Sequence, residues 1–347
     1  MTNRQCQVTQ KVANADDEPM FEVVDSPIPS PGPEDVLLRV LACGVCRSDS
    51  FAVEGTFDYS YPAIPGHEVI GKVVKAGTAA IAQTFEEGAV VGLGWHGSHC
   101  HSCEACSDGD FVCCEKEQVT ALHFGGGYQQ YMLAPAKGLA RVPNGMDPLA
   151  AAPLMCAGVT VFTALRDNID KARPPAIVAV VGVGGLGNLA IQYANKFGYT
   201  VVAISRGSDK KEQALEYGAT HFIDSKAENV AESLQALGGA KIVLATAPSA
   251  EAAGECIDGL SRNGKLVVLG ITKKQIPVTD LQLILRRRTV VGSIVGTARD
   301  SQDAMEFAQA HNIDSKLVVF EGIDKAPEAY AAMRQGVYRV VIKMADE

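Results

Sequence analysis

The chain has 347 residues, 47% of them hydrophobic and 20% charged, which is long enough for two domains and too apolar for a disordered protein. Its 31 Lys and Arg stand against 40 Asp and Glu, and the resulting formal charge of -9 argues against a nucleic-acid partner. The first twenty residues lack the apolar core of a secretory signal, and the most apolar run, 176–191, carries four glycines and Asn188, so no membrane partner is expected and the protein is read as cytoplasmic.

From Phe21 to Cys43 the pattern is of strands broken by Pro27, Pro29, Pro31 and Pro33, followed by a regular strand over Asp35 to Ala42. Glycines then punctuate short apolar segments up to Gly94, the texture of a compact, irregular β-rich domain. Residues 96–118 are dense in Cys and His with little apolar periodicity. Ten cysteines in a chain without an export signal point to metal or catalysis before disulfides. Within that dense segment, Cys100, Cys103, Cys106 and Cys114 have the spacing of a closed four-thiolate zinc site, structural because it leaves no position for substrate; Cys113 competes for the fourth place.

After Pro153 strands alternate with helices. Strands are predicted at Ile177 to Val181, Thr200 to Ser205, His221 to Asp224, Lys241 to Ala247, Lys265 to Gly270 and Val290 to Ile294. Helices are predicted at Leu186 to Phe197, Lys210 to Tyr217, Ala250 to Leu260 and Leu281 to Arg288, which together make a doubly wound parallel sheet of the Rossmann kind. Helices at Ser301 to His311 and Pro327 to Gln335 and a last strand at Arg339 to Met344 follow, the strand free to rejoin the N-terminal domain. Between the first strand and first helix of this half lie Gly182, Gly184, Gly185, Leu186 and Gly187. As G-x-G-x-x-G they offer a tight turn, a close backbone approach for a pyrophosphate and a helix N-terminus facing it. The second strand ends in Ser205-Arg206 where an NAD enzyme usually carries Asp or Glu; a hydroxyl and a guanidinium, with Lys210 or Lys211 nearby, suit a 2′-phosphate, so NADP(H) is favoured. Asp209 keeps NAD(H) open, although capping the next helix is its expected duty.

A dispersed set of metal-ligand types comprises Cys46, His67 with Glu68, and Cys156, each of which on its own also reads as a packing or structural residue. Gly44-Val45-Cys46-Arg47-Ser48-Asp49, Gly66-His67-Glu68, the four-cysteine loop, Ala157 to Thr160 and the glycine turn occur in this order, and together they resemble the zinc-dependent alcohol dehydrogenases of the medium-chain dehydrogenase/reductase superfamily over nearly the whole chain. The resemblance implies a GroES-like catalytic domain over 1–155 and 299–347 and a Rossmann domain over 156–298. It implies two zinc ions per chain, the catalytic one held by Cys46, His67 and Cys156 with Glu68 as an occasional fourth ligand, the structural one by Cys100, Cys103, Cys106 and Cys114. Asp49 would orient His67, and Ser48 would bond the substrate alcohol and pass on its proton unless it merely caps the helix starting there. Arg47, the glycine turn and Thr160 would meet the cofactor. Trp95 would line the substrate pocket or serve packing. Many relatives continue the proton relay through a His three residues after Ser48, where this chain has Phe51. The implied activity is hydride transfer between a small alcohol or carbonyl compound and NADP(H) in a homodimer or homotetramer; a C=C or imine reductase and a non-catalytic NADP(H)-binding module are the alternatives.

Overall fold

The computed structural model describes residues 2–14, 17–168, 174–336 and 339–344. The chain divides into two compact units, one of 1–159, 295–310 and 315–347 and the other of 160–294 and 311–314.

The first unit opens with an antiparallel pair, β1 (Thr2–Val8) and β2 (Phe21–Pro27). β1 is polar, which hides it from pattern reading, yet Asn3 and Gln5 are buried on it. Asn3 is satisfied there, its amide donating to the Gln129 side chain at 3.0 Å and to the Tyr131 carbonyl at 2.9 Å. The long strand β3 (Asp35–Val45) pairs antiparallel with β4 (Glu68–Ala76), which continues to β5 (Val90–Leu93). Between β3 and β4 lies the short helix α1 (Ser50–Glu54). β6 (His96–Ser98) and β7 (Gln118–Val119) form a ribbon around the cysteine-rich segment with its single turn of helix, α2 (Glu104–Ser107). β8 (Tyr131–Pro135) pairs with the first half of β3, and β9 (Leu139–Arg141) with β5. The core is apolar and alternating, with Val36, Leu38 and Val40 of β3 packed with Val69, Leu93, Tyr128 and Met132. α3 (Pro148–Ala151) leads towards Cys156, and α4 (Ala157–Arg166) follows it.

The second unit contains six parallel strands in the order β12-β11-β10-β13-β14-β15, namely β10 (Ile177–Val181), β11 (Thr200–Ser205), β12 (His221–Asp224), β13 (Ala240–Ala245), β14 (Leu260–Val268) and β15 (Thr289–Gly292). Its strand order reverses at β10, where an open α/β sheet forms its ligand crevice. The intervening helices are α5 (Gly185–Lys196), α6 (Lys211–Glu216), α7 (Val230–Ala236), α8 (Ala250–Glu255) and α9 (Asp280–Ile284).

Several expectations need correction. The helix expected to reach Leu260 stops at Glu255, because Leu260 already pairs with Ala240 at the start of β14 across a register shift. The helix expected over Leu281 to Arg288 ends at Ile284, and Arg287 has a left-handed φ of 52° that no helix continues through. Asp209 does not cap α6: Lys210 is the capping residue and uses no side-chain bond. α7 went unpredicted although Asn229, accepting from the Glu232 N–H at 3.1 Å, is an ordinary N-cap.

The chain returns to the first unit with α10 (Ala298–His311), β16 (Val318–Glu321), α11 (Ala326–Arg334) and β17 (Val340–Lys343). β17 lies antiparallel to the second half of β3, pairing Val340 with Val45. The free strand end expected at the C-terminus therefore does rejoin the N-terminal sheet. No single helix among the described residues is long and apolar enough to cross a membrane.

Candidate metal centres and nucleotide turn

Cys46 follows β3 directly and Glu68 opens β4, so the pairing of Gly44 with Glu68 brings the two ligand segments to the same end of one ladder. Glycine is required on the facing strand, since a Cβ on Gly44 would overlap the Glu68 carboxylate. Gly66 has a φ of 99°, and a Cβ there would lie 2.6 Å from the Tyr128 ring and 2.7 Å from Cys43 Sγ; the turn that presents His67 thus depends on it.

The Cys46 and Cys156 sulfurs are 3.8 Å apart, and one donor atom each from Cys46, His67, Glu68 and Cys156 all lie within 4.8 Å of one another, every residue buried. His67 Nδ1 is 2.9 Å from Asp49 Oδ1, whereas its Nε2 is buried with no hydrogen-bond partner. A buried imidazole nitrogen left unpaired is costly unless something else takes it, and two sulfurs and a carboxylate lie beside it. The donor set therefore fits zinc, with two soft thiols, one imidazole and one carboxylate. Asp49 is not the surface residue a helix start allows: it is buried, and its Oδ2 accepts from the Cys46 backbone N–H at 2.9 Å and from the Tyr128 hydroxyl at 3.2 Å.

The contact with Cys156 holds the Cys46 thiol well below its usual range, and the same contact, with burial, pushes Cys156 well above. Burial raises the Glu68 carboxyl well above its ordinary value, and the charge of Cys46 adds to this. Burial opposes the His67 imidazolium, but the charges of Asp49 and Cys46 outweigh it and raise His67.

Ser48 lies inside the single 3-10 turn Arg47–Asp49, half-buried, and is not the helix cap: Cys46 stands at the cap of that turn and Asp49 at the cap of α1. Arg47 is exposed. Phe51 on α1 packs edge-on against Phe57 and Trp95, and Trp95 in turn against His67. Sequence reading missed two residues here. Arg339, at a left-handed φ of 49° before β17, has Nη1 3.4 Å from Glu68 Oε1, and Tyr128 bonds Asp49; neither lies near a recognisable motif.

The four-cysteine loop also converges. Cys103 and Cys114 Sγ are 3.8 Å apart and Cys100 and Cys106 Sγ 4.0 Å, all four within mutual reach of one ion. Backbone N–H groups of Cys100 and Lys116 donate to Cys114 Sγ, each at 3.3 Å, and that of Ser102 to Cys100 Sγ at 3.4 Å, stabilising thiolate charge. Cys113, the competitor, is exposed and outside the cluster.

In the second unit Gly182 follows β10 with φ 95°, and α5 begins at Gly185 with Gly184 as its N-cap. A Cβ on Gly187 would overlap the Gly182 carbonyl, so helix and turn approach as closely as the motif requires. Gly184, Gly185 and Leu186 are half-buried at the helix start. Ser205 ends β11, Arg206 is exposed, and Lys210 is half-buried, its ammonium pKa lowered by burial and then by Arg206. Thr160 is buried in α4. A further residue that sequence reading passed over, Asp224 at the end of β12, accepts from the Gly207 N–H at 2.7 Å and the Lys226 N–H at 2.9 Å, and so holds the turn that carries Arg206.

A nucleotide-type glycine turn on a doubly wound sheet, together with a GroES-like domain bearing buried Cys-His-Glu-Cys donors and a four-cysteine loop, defines a zinc-type dehydrogenase. Residues 32–144 match the alcohol dehydrogenase GroES-like domain and residues 185–310 the zinc-binding dehydrogenase domain. The chain is 42% identical over 316 residues to the alcohol dehydrogenase patD of Penicillium expansum, covering 90% of this chain and 91% of that protein. Among solved structures, the cinnamyl alcohol dehydrogenase of Sorghum bicolor aligns at a TM-score of 0.86 with 27% identity, covering 99% of this chain and 98% of that one. The enzyme CAD of Helicobacter pylori, solved with NADP(H), aligns at 0.84 with 26% identity and the same coverage. The chain belongs to the zinc-type alcohol dehydrogenase family of the medium-chain dehydrogenase/reductase superfamily, oxidoreductases that act on small alcohols or aldehydes with zinc and a nicotinamide cofactor.

Proposed function

We propose that the protein is a cytoplasmic, NADP(H)-linked alcohol dehydrogenase and aldehyde reductase carrying two zinc ions per chain. The observation that carries the catalytic reading is the orphaned, buried Nε2 of His67 within reach of Cys46, Cys156 and Glu68. Zinc would be held there by Cys46, His67 and Cys156, with Glu68 in reach, and would supply Lewis-acid polarisation of an oxygen, as a nicotinamide cofactor would supply the hydride chemistry. Asp49 keeps the proton of His67 on Nδ1, so that Nε2 remains a donor. Ser48 Oγ is assigned the alcohol proton, accepting it as its own hydroxyl proton passes on toward the cofactor ribose, and Phe51 has no atom to continue that relay. The second ion binds Cys100, Cys103, Cys106 and Cys114 and orders a segment that has little apolar core of its own.

The choice of NADP(H) is supported by Ser205 and Arg206 at the end of β11, and by the Helicobacter pylori relative solved with NADP(H). Arg47, Thr160 and the turn from Gly182 to Gly187 are assigned to the cofactor with them, together with Lys210. We further assign assembly into a homo-oligomer through the edge strand β15, with Ile271, Leu281, Ile284 and Leu285 all exposed in the segment that connects β14 to it; light scattering reads the subunit number directly.

The test is kcat/KM with NADPH and NADH over aromatic, aliphatic and terpenoid aldehydes, with metal content measured in parallel. The proposal expects an NADPH preference that Arg206→Ala abolishes and two zinc ions per chain. An NADH preference, or NADPH affinity unchanged in Arg206→Ala, overturns the cofactor assignment. Phe51 makes a C=C reductase the second reading, and the product from an enal separates the two, allylic alcohol for the first and saturated aldehyde for the second.

A further inference from the structure

The proposed catalytic-metal reading leaves one question of geometry, namely what fixes the plane of the His67 ring. Its contact to Asp49 at Nδ1 is a single point about which an imidazole can rock, and Nε2 lies across the ring from that point. Trp95 meets the ring nearly perpendicularly, with centroids 5.2 Å apart at 87°. Such edge-to-face contact restrains ring orientation through the quadrupoles as well as through shape. Trp95 is itself held: its carbonyl accepts from the Thr120 N–H at 3.0 Å, and the preceding Gly94 packs so tightly against the carbonyl of Met155, the neighbour of Cys156, that a Cβ would overlap it. Behind Trp95 stands Phe51, 6.2 Å away at 82°, braced by Phe57 at 5.3 Å and 84°. Phe51 lies two residues after Asp49, so one short segment carries both the Nδ1 partner and the buttress of the ring on the other contact.

We propose that Trp95, backed by Phe51, is a positioning residue that fixes the imidazole of His67 as a metal donor. Position 51 is then occupied by a brace, which explains why an aromatic hydrocarbon can stand beside a proton-transferring serine. The inference rests on metal binding at Cys46, His67 and Cys156.

It is tested with Trp95→Ala, Trp95→Phe, Phe51→Ala and Phe51→Leu, measuring metal affinity by chelator competition and the d–d spectrum of cobalt exchanged into the Cys46, His67 and Cys156 site alone. Partners that orient a ligand typically contribute 10- to 100-fold in affinity. Trp95→Ala and Phe51→Ala are expected to weaken this site about tenfold and shift its cobalt bands, with Trp95→Phe and Phe51→Leu restoring most of both. The four-cysteine loop should keep its metal in every variant, and unchanged far-UV circular dichroism reports that the chain is folded. If Trp95→Ala does not fold, Phe51→Ala decides alone, since it removes the brace but leaves the Trp95 side chain in the structure. Unchanged affinity and cobalt spectrum, even with a raised KM for the alcohol, reduce Trp95 to a pocket wall and overturn the proposal. A wild-type chain that binds metal only at the four-cysteine loop overturns this inference and the catalytic-zinc reading together, whereas two metals with an unaffected Trp95→Ala overturn this inference only.

Discussion

Replacing Asp49 by Asn is the sharpest single perturbation of the proposed metal centre. The carboxylate lies between three buried groups, 2.9 Å from His67 Nδ1, 2.9 Å from the Cys46 N–H and 3.2 Å from the Tyr128 hydroxyl. An amide keeps the shape but has only one acceptor oxygen. If that oxygen faces Cys46 and Tyr128, the NH2 group faces His67 and Nδ1 must give up its proton. The proton then sits on Nε2 and blocks the nitrogen that has no other partner. If the oxygen faces His67 instead, the NH2 opposes two donors. A lost hydrogen bond to a charged group amounts to about 1.5–3 kcal/mol, which at about 1.4 kcal/mol per decade corresponds to a 10- to 100-fold loss of metal affinity. Chelator competition followed by mass-spectrometric metal counting measures it, with the four-cysteine loop as internal control. Full occupancy of both sites at unchanged affinity would refute the reasoning, as would a loss confined to the loop.

Gly66→Ala should lower the urea midpoint by the equivalent of roughly 2–4 kcal/mol, since it combines a left-handed backbone with a Cβ pressed against Tyr128 and Cys43; a loss below about 1 kcal/mol would contradict it. Cys114→Ser is expected to release the loop metal and lower the melting temperature, while Cys113→Ser keeps both, because only Cys114 lies in the cluster. Backbone N–H donors of Lys226 and Gly207 hold the Asp224 carboxyl below its usual pKa. A depressed carboxyl contributes stability that is complete above its unfolded value and disappears as pH falls through the lower folded one. Acid unfolding of the wild type between about pH 5 and 2 should therefore be steeper than that of Asp224→Asn; parallel curves would exclude the linkage.

The nucleotide turn and the strands beside it were legible because each signal is local: β10, β11 and β12 have the predicted limits, set by short apolar runs next to turn residues. The candidate donors Cys46, His67 and Cys156 were brought together only through an ordered set of motifs, since nothing in a lone Cys46 or His67 says that Cys156 lies 3.8 Å from Cys46. Contacts made by unmarked residues stayed hidden. Tyr128 reaches Asp49 from 79 residues away and Arg339 reaches Glu68 from 271, and a buried arginine before an apolar strand carries no pattern of its own. β1 was missed for a different reason, because its inward residues include Asn3 and Gln5 and polarity conceals the alternation.

The shared edge of β3 bears on how the protein is made. Its first half is completed by β8 and its second half, the part that ends at Cys46, only by β17 at the far end of the chain. During synthesis, Ala42 to Val45 must wait with an open edge until nearly every other element has emerged. On the proposed two-zinc reading, the four-cysteine site can assemble early, since its residues span only Cys100 to Cys114, whereas the Cys46 site lacks its flanking strand until β17 has been made. On that reading the two centres fill in a set order, the four-cysteine site first, with β17 closing the sheet beside the second.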